Sequence, residues 1–316
     1  MQISIIIPAY ARPAQLAEAL ASIAQQDRSL IGEILIGDDS PPDYWDANRK
    51  VVADSELAPL IVYMPSKPSR GTYPNQWFLA DAARCEHLLL LHNDDQLCPD
   101  ALSLLATACE REVDARVKLW FGTQKIFDAD GIVDAERSRL SDRHYGRDGA
   151  ASTKPVWEWC LTESIPSNSF LVETATYRRY MRGESDGNIG DWAFSVRLAN
   201  SGAWARFLGQ TVSLYRVQAG SVTVAGRGVD VHRAFEATQA LLVPLEHEAA
   251  KRARFEAFAL VAAVRYARDG ERRNAWNAWG SSLLSWRKRL SVRSLVVLAM
   301  VMTPRPLWHW ALRYKN

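Results

Sequence analysis

Three short segments hold the residue types that could bind a phosphorylated ligand and act on it. Asn93-Asp94-Asp95 sets two carboxylates side by side, and Asp38-Asp39-Ser40 offers a second acidic pair. Pro8-Ala9-Tyr10-Ala11-Arg12 adds an aromatic ring and a guanidinium. Adjacent carboxylates give Mg²⁺ or Mn²⁺ the hard oxygen ligands they favour, with phosphate oxygens completing the shell. Arg12 and Arg70 can pair with phosphate oxygens directly. Singly, each segment is weak. Asp-Asp after a strand is common turn or helix-cap chemistry. Asp38-Asp39-Ser40 before Pro41-Pro42 reads as a turn, and Arg70-Gly71 as a loop.

The elements around these segments give them a common location. Residues 3–7 form an apolar, mostly β-branched run that suits a strand buried on both faces, and Pro8 ends it. Leu16, Leu20 and Ile23 follow at helical spacing. Further strands are predicted at 33–36, 60–64 and 87–91, with a helix over 73–84 and another opening near Pro99. This alternation implies a mostly parallel sheet with helices on both faces. Each of the three segments follows the carboxyl end of a strand, the edge where open α/β sheets bind ligands. No GxGxxG or GxxxxGK[ST] follows any strand, so neither a dinucleotide cradle nor a P-loop is present. Beyond residue 117, strands are predicted at 118–127, 169–172 and 206–215. They are separated by polar loops that include 128–149. A helix is expected over 191–200, stopped by Gly202, and the chain after Gly228 reads as mostly helical.

The 316 residues are 48% hydrophobic, enough for one large domain or two smaller ones. The net charge of +2 is uninformative, but its distribution is not. From Lys251 onward, many Lys and Arg residues face only Glu256, Asp269 and Glu271. Trp276, Trp279, Trp286, Trp308 and Trp310 lie among them, the first three at spacings that could share a helix face. Such a segment suits an anionic membrane surface. It equally suits a helical appendage packing its tryptophans on the rest of the chain. No nucleic-acid motif accompanies the charge, so no nucleic-acid partner is expected. Cys85, Cys98, Cys109 and Cys160 have no zinc spacing and read as small buried thiols in a reducing compartment. The N-terminus shows no secretory leader, and no apolar run is long enough to span a bilayer.

The chain resembles the family 2 glycosyltransferases of GT-A fold, the inverting family that builds bacterial polysaccharides. The resemblance rests on ISIIIPAY (3–10), EILIGDDS (33–40), RGTYPN (70–75) and LLLLHNDD (88–95), in order and at matching spacing, and covers roughly the first 220 residues. It implies that Pro8, Ala9, Tyr10 and Asp38 hold the nucleotide base and ribose, with Tyr10 against the base and Asp39 supporting the loop. Arg12, Arg70, Gly71 and Asn75 would flank the donor. Asn93-Asp94-Asp95 matches the DXD-type motif, with Asp95 as the metal contact and Asn93 and Asp94 toward ribose or sugar. Gly190-Asp191-Trp192 through Arg197-Leu198 resembles the family's ED…RL helix, with Asp191 as catalytic base. Alone, Asp191 would read as a helix cap. Gly190 stands where the family usually has glutamate, and Gln218 where it often has a histidine that contacts metal or diphosphate.

The resemblance implies a GT-A domain over 1–225, divided into a nucleotide-binding half (1–116) and an acceptor-binding half (117–225), and a helical region over 226–316. It implies an inverting, hexosyltransferase-type, metal-dependent transfer from a nucleotide-sugar donor, UDP-sugar by default. The acceptor would be a glycan or lipid-linked hydroxyl in cell-surface polysaccharide or lipopolysaccharide synthesis. The expected location is the cytoplasm, peripheral to the inner face of the membrane where the tail attaches. The competing readings are a non-catalytic nucleotide-sugar binding protein and a sugar nucleotidyltransferase. The latter would carry a glycine-rich, basic loop after its first strand, which Pro8-Ala9-Tyr10 does not supply.

Overall fold

The computed structural model describes residues 1–184, 186–218 and 230–303. Its strands are β1 (Ile3–Ala9), β2 (Ile31–Asp38), β3 (Ile61–Pro65), β4 (His87–Leu90), β5 (Gln96–Leu97), β6 (Val117–Phe127), β7 (Val133–Asp134), β8 (Ser152–Pro155), β9 (Leu171–Glu173) and β10 (Trp204–Arg216). The central path runs β3-β2-β1-β4-β9-β6-β10-β5. β1, β2, β3 and β4 pair in parallel, as do β6 and β10. β9 runs antiparallel to both β4 and β6 and joins the two parallel blocks into one sheet.

Helices α1 (Pro13–Ala24), α2 (Trp45–Asp54), α3 (Thr72–Ala82), α4 (Ala101–Glu110), α5 (Ala135–His144), α6 (Val156–Leu161), α7 (Thr174–Met181) and α8 (Gly190–Asn200) cover the sheet. The strand side chains split between two cores, as alternation on a pleated sheet requires. Ile6, Leu88 and Leu90 pack with Tyr177 and Phe194 on one face. Ile5, Ile7 and Leu89 pack with Leu16 and Leu102 on the other.

Two sequence expectations change. Residues 128–149 are not simply a loop: they contain β7 and α5. Helix α5 has little apolar periodicity, but Asp134 Oδ1 accepts from Arg137 N at 2.8 Å and caps its first turn. The cysteines are all free, but only Cys160 is fully buried.

The expected boundary at 225/226 lies outside the described residues. Beyond it, helices at Val231–Ala240, Glu248–Asp269, Arg272–Trp279, Trp286–Arg289 and Val292–Met302 follow. They are not a detached appendage. Leu241 and Phe255 enter the same core as Phe194, and the Phe255 ring lies 5.4 Å from that of Trp192. Trp276 and Trp279 share a helix with ring centroids 5.6 Å apart, while Trp286 stands on a separate one. Among the described residues, no helix is long and apolar enough to cross a membrane.

Candidate active site

Register brings the strand ends together. Pro8 pairs with Gly37 and Ala9 with Asp38, and Asp39 N donates to Ala9 O at 3.0 Å. Leu91 N donates to Ile6 O at 3.0 Å, which sets the 92–95 turn beside the other two. Asp39 joins in a third loop. Its Oδ1 accepts from Arg70 N at 2.6 Å, and its Oδ2 from Ser69 Oγ at 2.6 Å and Gly71 N at 2.7 Å. Gly71 has φ +88° at the entry to α3, a conformation that glycine tolerates and L residues resist. The Arg70 guanidinium lies 3.8 Å from the Phe78 ring centre, with Nη1 buried and unbonded among the described residues.

Asp38 is fully buried. Its carboxylate accepts from Ser40 N at 2.9 Å, Asn48 Nδ2 at 2.7 Å and the Tyr63 hydroxyl. Any donor contact here would share a carboxylate already holding three donors. Asn75 Nδ2 donates to Gly37 O at 2.7 Å, and its amide lies 2.4 Å from where a Cβ at position 37 would stand. A side chain at 37 would have to push this amide off its bond. Tyr10 is 57% exposed at the rim and offers an open ring face. Asn93 is buried, its Nδ2 without a partner among the described residues.

The acidic cluster has a member that the motif comparison did not assign. Ligand atoms of His92, Asp94 and Asp95 all lie within 4.8 Å of one another. Arg12 ion-pairs with Asp94. Asp95 is 1% exposed; Arg216 N donates to Oδ1 at 2.8 Å and Asn168 Nδ2 to Oδ2 at 2.7 Å. The same Asn168 amide reaches His92 Nδ1 at 3.0 Å. Arg216 Nε donates to Asp94 O at 2.9 Å, while its guanidinium pairs with Glu18 and stacks 4.3 Å from the Phe127 ring centre. From β10, Arg216 rather than Gln218 braces this turn.

Electrostatics favour a cation here. Burial, followed by the neighbouring charge of Asp94, pushes the Asp95 carboxyl up to about 8. Burial also lowers the His92 imidazole, which leaves it neutral and able to ligate. Two carboxylates and a neutral imidazole converging in a buried turn fit a divalent ion, whose charge would remove the cause of the raised Asp95 value.

Asp191 stands in the first turn of α8, whose N-cap is Ile189, so it is not the cap that the isolated sequence suggests. Its Oδ1 accepts from Trp192 N at 2.8 Å and from the Tyr73 hydroxyl at 3.2 Å. A Cβ on Gly190 would lie 2.6 Å from the Tyr73 ring, so that ring fills the space a glutamate side chain at 190 would have to cross. Asp191, Trp192 and Ser195 line a cleft of about 520 Å³ together with Gln124, Arg147 and Tyr215. Gln124, which lines the cleft, donates through Nε2 to Asn168 Oδ1 at 3.3 Å, and Asn168 bonds both His92 and Asp95, which sets the cleft beside the acidic cluster.

Residues 4–135 match the model described as Glycosyl transferase family 2. Over these residues the chain is similar to that family. The first 349 residues of S. aureus TarS, in complex with UDP-GlcNAc, match with TM-score 0.64 and 16% identity, covering 99% of this chain and 88% of that one. The mannosyltransferase PcManGT from Pyrobaculum calidifontis, in complex with GDP-Man and Mn²⁺, matches with TM-score 0.56 and 15% identity, covering 98% of this chain and 83% of that one. At these identities the likeness establishes the GT-A fold. No curated protein sequence matches the chain.

Sequence reasoning did not single out His92, Tyr73, Asn168 or Arg216 for these roles. His92 had a signal, since it immediately precedes Asn93-Asp94-Asp95. Asn168 had none: it reaches Asp95 from an irregular segment just before β9.

Proposed function

We propose that the protein is an inverting glycosyltransferase that moves a sugar from a nucleotide-diphosphate donor to an acceptor hydroxyl, with Asp191 as base. The observation that carries this reading is Asp191 itself. Its Oδ1 is held by Trp192 N and the Tyr73 hydroxyl, which leaves Oδ2 to take a proton in a cleft beside the acidic cluster. A single displacement inverts the anomeric centre. The UDP-GlcNAc held by TarS and the GDP-Man held by PcManGT support a nucleotide-sugar donor, and UDP is the default nucleotide.

The donor side uses the converging loops. Tyr10 offers its ring to the base. Arg12 and Arg70 supply positive charge toward the diphosphate, and Asp39 fixes the segment bearing Arg70. Asn93 and Asp94 face the sugar or ribose. His92, Asp94 and Asp95 would hold Mg²⁺ or Mn²⁺, which supplies charge to stabilise the departing diphosphate. The Mn²⁺ in PcManGT is consistent with this choice. The protein's part is to fix donor and acceptor in reacting geometry, which removes much of the entropic barrier.

The acceptor is a glycan or lipid-linked hydroxyl of a cell-surface polysaccharide, reached from the cytoplasmic face. The C-terminal helices suit peripheral attachment, because Trp286, Leu290, Val292, Leu295, Val296 and Met302 are exposed beside Arg287, Lys288 and Arg293. A thermal-shift screen of UDP-, GDP- and dTDP-sugars with and without Mn²⁺ tests the donor reading. One sugar nucleotide should raise Tm only with the metal. No shift with any of them would refute it.

A further inference from the structure

We propose that the cleft beside Asp191 takes an acceptor bearing an anionic group, phosphate or carboxylate, and that Arg147 holds that group. The assignment rests on this cleft being the acceptor side of the transfer proposed above.

Arg147 follows α5 and is only 6% exposed, yet it lines the same cleft as Asp191. Its Nε donates to Ser164 O at 2.7 Å, and Nη1 lies 3.5 Å from Gln124 Oε1. The guanidinium carbon lies 4.9 Å from the Tyr145 ring centre. Among the described residues, no hydrogen bond engages Nη2 and no salt bridge joins this guanidinium to a carboxylate. A guanidinium presents five donors in a fixed fork, so part of that fork is left for a ligand.

A buried cation without a paired anion is costly unless something compensates for it. Two neutral carbonyl contacts and a ring compensate only in part. Asp142 is the carboxylate whose charge acts on Arg147, but among the described residues it forms no salt bridge with the guanidinium, and its buried Oδ1 has no hydrogen-bond partner. The remaining charges around the cleft point the same way. Arg137 and His144 line it, and its Glu163 is already paired with Arg254 at 2.9 Å. Asp191 is the one lining acid without an arginine or lysine partner among the described residues. Bidentate pairing with phosphate or carboxylate is the interaction a planar fork makes best. Arg147 comes from the acceptor half, whereas Arg12 and Arg70 serve the donor loops, so the anion it awaits is not the donor's diphosphate.

The test uses the full chain and calorimetry. UDP with Mn²⁺ is titrated first; no binding there refutes the glycosyltransferase reading and the acceptor assignment with it. With UDP and Mn²⁺ saturating, glucose 6-phosphate, glucuronic acid and glucose are then titrated. At least one of the two anionic sugars should bind tenfold or more tighter than glucose. Arg147→Met should remove that advantage, and Arg147→Lys should keep part of it. Equal binding of charged and neutral sugars, or no binding of any, overturns the anionic acceptor while leaving the donor reading intact. If Arg147→Met does not fold, undiminished discrimination in Arg147→Lys together with insensitivity to 0.5 M NaCl, roughly a 4 Å Debye length, overturns the role of Arg147.

Discussion

The Tyr73 hydroxyl donates to Asp191 Oδ1 at 3.2 Å, and the Tyr73 ring lies 2.6 Å from where a Cβ on Gly190 would stand. The residue that removes room for a glutamate at 190 also orients the neighbouring aspartate. Burial raises the Tyr73 phenol, so it stays protonated and donates at any working pH. Tyr73→Phe loses one hydrogen bond to a charged group, about 1.5–3 kcal/mol, and should lower kcat by about tenfold to a hundredfold with donor binding retained. Gly190→Ala forces a methyl against the ring and should cost about 1–3 kcal/mol of stability. Melting curves and steady-state rates check both. Unchanged kcat in Tyr73→Phe would remove its positioning role.

Asp191→Asn keeps the shape and hydrogen-bonding capacity of the side chain but cannot accept the acceptor's proton. Transfer should fall by about 10²–10⁴, the usual contribution of a general base. The nucleotide Kd should stay within about twofold, since the donor loops come from other strands. Retained transfer in this variant would exclude Asp191 as base.

Metal binding should depend on pH through Asp95. Its folded carboxyl titrates at about 8, against about 3.9 for an unfolded aspartate. The native apo protein therefore binds a proton that the unfolded chain has released. Stability from this group is fully present below about pH 4 and falls as pH rises through the folded value. A cation must displace the same proton, so Mn²⁺ affinity should climb between about pH 6 and 8 and then level off. Metal titrations across that range, read by Tm, test this. Asp95→Asn should flatten the profile, and His92→Ala should weaken Mn²⁺ binding by tenfold or more. A pH-independent Mn²⁺ affinity would contradict the assignment.

Much of this site could be read from the sequence because its strands announce themselves. The apolar run at 3–7 and the leucines at 88–91 define buried parallel strands, and their ends bear the polar residues. What could not be read comes from contacts between distant positions. Tyr73 meets Asp191 across 118 residues, and Arg216 meets Asp95 across 121. Neither contact has a local pattern, because each depends on how the antiparallel β9 joins the two blocks of the sheet. Helix α5 was missed for a local reason. Its residues are nearly all polar, and Ser138 is its one buried side chain, so no apolar stripe marks it. The Asp134 cap was the signal available.

The last helix among the described residues makes a separate prediction about the membrane. On Val292–Met302, Ser294, Val297 and Val301 face inward, the two valines into a cluster with Ala263 and Tyr266. The opposite side exposes Val292, Leu295, Val296 and Met302 beside Arg293, so much of the uncovered face is apolar. Arg287, Lys288 and Arg289 precede it and Arg293 lies in its first turn, with Glu271 the nearest acid in sequence. That charge pattern complements anionic headgroups better than a second copy of the same basic surface. The full chain should therefore co-sediment with phosphatidylglycerol-containing vesicles and weakly with pure phosphatidylcholine. Leu295→Ser with Val296→Ser should reduce binding about tenfold by removing apolar surface from the interface. Arg287→Gln with Lys288→Gln should lower it by about 1 kcal/mol per charge and weaken its dependence on salt. Equal recovery on both vesicle types, or a concentration-dependent dimer in light scattering that the serine variants abolish, would assign this face to protein contact instead.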